Sequence, residues 1–67
     1  MTYEQIPADL LSEINAKILK YADGDWHEAY WVAYDALQVF GCHHNEAQVL
    51  AEKITDTCLD YDVVNLD

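Results

Sequence analysis

The chain predicts an all-α fold, a small three-helix bundle, on three observations. Apolar residues recur at helical spacing in three segments, capping and turn residues separate those segments, and the connections are only a few residues long. Such short connections favour an up-down-up bundle, read as a single domain over residues 1–67.

The first helix is placed over residues 7–22. Pro7 suits an opening position, because its ring fixes φ near the helical value and its missing N–H has no partner to lose there. At about 100° per residue, Leu10, Leu11, Ile14, Ile18, Tyr21 and Ala22 share one side, and Asp9, Glu13, Lys17 and Lys20 the other. Glu13 precedes Lys17 by one turn, the order that favours a surface ion pair. The turn Asp23-Gly24-Asp25 ends the helix.

Asp25 then reads as the N-cap of a second helix over residues 26–40, with Glu28 completing a capping-box pattern. Gly41 stops it, since glycine enters the left-handed region without a Cβ penalty. Asn45 with Gln48 repeats the capping signal for a third helix over residues 46–61. Its core side is Ala47, Leu50, Ala51, Ile54, Cys58 and Tyr61. Residues 62–67 read either as a frayed end or as a short segment packed on the bundle.

Size sets a further limit. A chain of 67 residues removes only about 60% of its unfolded surface from water, so its core needs tight helix packing or a second copy of the chain. A homodimer through the second helix is expected on that ground. Hydrophobic residues make up 52% of the chain, too many for a disordered segment despite the charge.

The charge is one-sided: thirteen Asp and Glu against three Lys, no Arg, and a formal net charge of −10. Such a surface repels phosphate backbones and anionic membranes and points to basic or apolar protein partners. No stretch approaches the roughly 20 apolar residues of a membrane span. Residues 1–8 carry Glu4 and no apolar run, which argues against an export signal, so a cytoplasmic location with reduced Cys42 and Cys58 is expected.

Chemistry has little purchase here. The run Cys42-His43-His44 holds metal-ligand types, yet adjacent side chains rarely converge on one ion. Asp23-Gly24-Asp25 with Glu28 lacks the twelve-residue ligand order of a calcium loop. Cys42 beside His43 has no evident orienting group or oxyanion donor, and two glycines make no phosphate-binding loop. No enzyme activity, cofactor or metal is expected. The second helix, Gly41 and the third helix outline a helix-turn-helix, but the third helix would present Glu46, Glu52 and Asp56 to phosphates.

Two surfaces remain as candidates. The second helix has an expected core arc of Trp26, Ala29, Tyr30, Ala33, Ala36, Leu37 and Phe40, widened by Val32 and Val39 on one flank and Tyr34 on the other. Trp31 lies farther round, beside His27 and Gln38. His27, Trp31, Tyr34 and Gln38 thus form an aromatic and polar patch of the composition that protein interfaces favour. On the third helix, Glu52, Asp56 and Asp60 follow at i, i+4 and i+8 as a carboxylate line. The plain alternatives are a covered or simply exposed Trp31 and a solvated acidic face. The expectation is a non-enzymatic protein-binding module, a small accessory or inhibitor protein of the kind bacterial viruses carry. The alternatives are a nucleic-acid mimic, with carboxylates about 6 Å apart along the helix standing in for phosphates, and a helix-turn-helix-like regulator disfavoured by its acidity.

Overall fold

A computed structural model describes residues 2–59. A 3-10 turn, Tyr3–Gln5, leads into three helices: α1 over Ala8–Tyr21, α2 over Trp26–Phe40 and α3 over His44–Leu59. The expected all-α three-helix bundle is the observed fold. The expected extension of the third helix to Tyr61, and residues 62–67, lie outside the described residues.

The helix ends follow from backbone groups that need partners. Pro7 is the N-cap of α1, one place before the helix proper, and its carbonyl accepts the Leu11 N–H at 3.0 Å. After Ala22 the chain turns through two positive-φ residues, Asp23 at 51° and Gly24 at 85°, conformations that Asp tolerates and Gly adopts freely. Asp25 caps α2 as expected. Its carboxylate accepts the His27 N–H at 2.9 Å, one residue earlier than the capping box with Glu28 implies.

Gly41, at φ 120°, closes α2 with a double bond pattern: its N–H reaches the Gln38 carbonyl at 3.1 Å and the Cys42 N–H reaches the Leu37 carbonyl at 2.9 Å. Those are the two bonds of a Schellman motif, which needs a left-handed residue after the helix. α3 begins two residues before the expected start. His43, not Asn45, is the cap: its carbonyl accepts the Ala47 N–H at 2.8 Å and its Nδ1 faces the Asn45 N–H at 3.4 Å.

α2 is the central element. It packs most extensively on α3, less on α1, while α1 and α3 touch least. Small residues make this possible, since Ala29, Ala33, Ala47 and Ala51 are wholly buried and let the helix axes approach. Ile14, Ile18, Leu37, Leu50 and Ile54 fill the space between them, and Ile6 and Cys42 complete the core from the two flanking connections. Three residues of the expected apolar arcs are not inside. Tyr21 is 62% exposed, Phe40 49% and Val39 82%; Tyr21 and Phe40 are each the last residue of a helix, where the chain turns away. Thr55 takes a core position instead, fully buried with its hydroxyl unpartnered.

Candidate functional site

The aromatic residues of α2 form one connected wall. Trp26, Tyr30 and Tyr34 recur every four residues, so their rings rise along one flank of the helix. They stack in turn: Trp26 on Tyr30 at 5.5 Å between centroids and 11° between planes, Tyr30 on Tyr34 at 6.0 Å and 17°. All three are half-buried at the seam with α3. Polar tips fasten the two ends of this stack. The Trp26 Nε1–H donates to the Asp56 carboxylate at 2.7 Å, and the Tyr34 hydroxyl is hydrogen-bonded to His44 Nδ1. The Tyr34 and His44 rings also meet edge to face at 5.8 Å.

Trp31 stands outside the stack. Its ring lies nearly perpendicular to Tyr30, at 5.2 Å and 76°, and to Tyr34, at 5.5 Å and 89°. It is still 59% exposed. Edge-to-face pairs of this kind contribute about 0.5–1.5 kcal/mol each beyond area burial, so the outward indole is braced by its neighbours without being covered. Glu28, Val32, Tyr34 and Asp35 line a shallow cleft with it, about 430 Å³ in volume. His27 and Gln38 are exposed, and the His27 ring meets Trp26 edge to face at 5.7 Å. The expected patch of His27, Trp31, Tyr34 and Gln38 is therefore on the surface, with Tyr34 serving also as a strut to α3.

The carboxylate line is not uniform. Glu52 is exposed, Asp56 is half-buried and engaged by Trp26, and Asp60 lies outside the described residues. Burial, followed by the Glu52 carboxylate and the Tyr34 ring, pushes the Tyr30 phenol above its ordinary pKa. Glu52 thus stands near the stack. The aromatic wall and the acidic face meet along the α2–α3 seam, which the sequence treats as two surfaces on two helices. The Trp26–Asp56 link spans thirty residues of chain, and helical periodicity carries no signal for it.

The metal-ligand types of the α2–α3 connection have other partners. Cys42 is buried behind Gly41, and that burial, then the Glu46 carboxylate, pushes its thiol above its ordinary pKa. His43 caps α3 and His44 meets Tyr34. No disulfide joins Cys42 and Cys58. Among the described residues no helix is long and apolar enough to cross a membrane. No family model, curated protein or solved structure matches the chain.

Proposed function

We propose that the chain is a non-enzymatic protein-binding module whose contact surface is the outer face of α2, centred on Trp31. One observation carries this reading: a large indole is left open to water while two neighbouring rings pack edge to face against it. An anchor already ordered before binding loses little side-chain entropy on association, which is how rigid aromatic residues come to dominate interface energies. His27, Gln38 and Tyr34 supply the polar surround. Glu52, exposed on α3 near the aromatic stack, adds negative charge at the seam, so the favoured partner is a protein with a basic surface.

The carboxylate line by itself, as a mimic of a phosphate backbone, is the weaker reading. Asp56 is spent on Trp26 rather than pointing free, which interrupts the spacing that imitation needs. Affinity capture from a cell lysate with the parent chain and with Trp31→Ala tests the proposal. A protein held by the parent and released by the variant is the expected result. Equal capture by both removes the outer face of α2 from consideration. Sedimentation of the purified chain separates self-association through α2 from binding of a different protein.

A further inference from the structure

The cleft beside Trp31 carries more chemistry than an apolar anchor needs. We infer that it receives a guanidinium: an arginine side chain of a basic partner segment, laid against the Trp31 indole and paired with Glu28 or Asp35. The inference rests on the reading of Trp31 as a partner-binding residue, and names the chemistry of that partner.

Placement comes first. Glu28 and Asp35 line the same cleft as Trp31 and Tyr34. They are seven residues apart with Trp31 between them, which on a helix is about two turns or 10 Å along one face. A cation over the indole is therefore within reach of a carboxylate on either side. Both carboxylates are exposed, and among the described residues neither has an ion-pair partner, the ion pair on α1 being Lys17 with Glu13 at 3.7 Å.

The ring chemistry then selects the cation. Tryptophan has the strongest quadrupole of the aromatic side chains, and a cation over its face is drawn to it even at a partly exposed site. A guanidinium is planar, weakly hydrated and forked, so it stacks on the ring while donating two parallel hydrogen bonds to a carboxylate. The lysine ammonium is a compact, strongly hydrated point charge that does the first poorly and the second not at all. The chain contains no arginine, so a second copy of itself cannot supply the guanidinium. A different protein must.

Three blocked alanine-based peptides, with arginine, lysine or citrulline at two positions four residues apart, test this at physiological salt. The reading is the indole N–H signal of Trp31 in nitrogen-15 spectra of the full chain, assigned by its loss in Trp31→Phe. The arginine peptide should shift that signal saturably and bind about fivefold more tightly than the lysine peptide. The neutral citrulline peptide should not saturate it. Glu28→Gln with Asp35→Asn should weaken the arginine peptide about tenfold, and Glu4→Gln, distant from the cleft, should leave it unchanged. Equal binding of arginine and lysine peptides, or equal losses in both sets of charge variants, would reduce the cleft to general acidity and overturn the inference. Equal binding of citrulline would make it an apolar dock instead. A Trp31 signal that moves on dilution of the free protein gives the cleft to a second copy. One that moves only when Val63, Val64 and Leu66 are replaced by Ser gives it to the chain's own end. If the arginine peptide leaves Trp31 unmoved while Trp31→Ala still releases the captured protein, the guanidinium is wrong and the binding surface stands.

Discussion

The two sides of α2 differ in how they are held. Towards α3 it presents stacked aromatic rings whose polar tips cross the seam, Trp26 to Asp56 and Tyr34 to His44. Towards α1 it presents aliphatic and terminal residues that leave an open groove, lined by Leu10, Tyr21, Val32, Ala36, Val39 and Phe40 with Glu13, Lys17 and Asp35 at its rim. Val39 there is 82% exposed. The seam gains direction from hydrogen bonds and ring geometry, whereas the α1 side packs mainly through apolar contact, which fixes no orientation. The comparison teaches that a side chain can be braced without being covered, and Trp31 draws its ring contacts from the well-held side.

Breaking the seam should have the largest effect. Trp26→Phe keeps an aromatic ring but removes the indole N–H and part of the stacked surface, leaving the half-buried Asp56 carboxylate without that hydrogen bond, and urea unfolding should show a loss of about 2 kcal/mol. The matching change in the groove, Val39→Ser, should stay within about 0.5 kcal/mol, as exposed substitutions do. Equal losses from both would erase the distinction between the two sides. The same link alters what neutralising the acidic face does. Relief of like-charge spacing at Glu52 and Asp56 favours the helix by a few tenths of a kcal/mol, but Asp56→Asn also turns a charge-assisted bond into a neutral one, so its net effect should be destabilising.

Gly41→Ala should cost about 1 kcal/mol, from backbone strain alone. A Cβ there would meet nothing within 4 Å, but φ is 120°. If its unfolding midpoint equalled that of the parent, the Schellman closure would not depend on glycine. Thr55→Val should act in the opposite direction, raising stability by about 1 kcal/mol. It replaces a fully buried hydroxyl that has no partner with a methyl group of similar size. A destabilised variant would show that the hydroxyl is satisfied in solution.

Much of this fold could be read along the chain, because helix boundaries are set by neighbours in sequence. Asp25 and Gly41 act through groups two to five residues away, and both were legible as caps. The start of α3 was not, since histidine is a rare cap and Asn45 carries the commoner signal. Thr55 shares the inward arc with Ile54, and only its polarity hid it. The outward place of Trp31 was legible because it falls nearly opposite Ala29 and Ala33 on the helical wheel. Its edge-to-face contacts were not, because they depend on ring geometry. The joining of the acidic and aromatic surfaces depends on contact between two helices, which the periodicity of either one alone does not contain.

The most direct measurement is the affinity of the captured partner for three purified chains, parent, Trp31→Ala and Glu52→Gln, at low and at physiological salt. With Trp31 as the anchor, Trp31→Ala should weaken binding by about 2 kcal/mol at both salt concentrations, while Glu52→Gln should cost less and mainly at low salt, where charge at the edge of the contact is least screened. Affinity unchanged in Trp31→Ala and lost in Glu52→Gln would contradict the account and give the contact surface to the acidic face of α3.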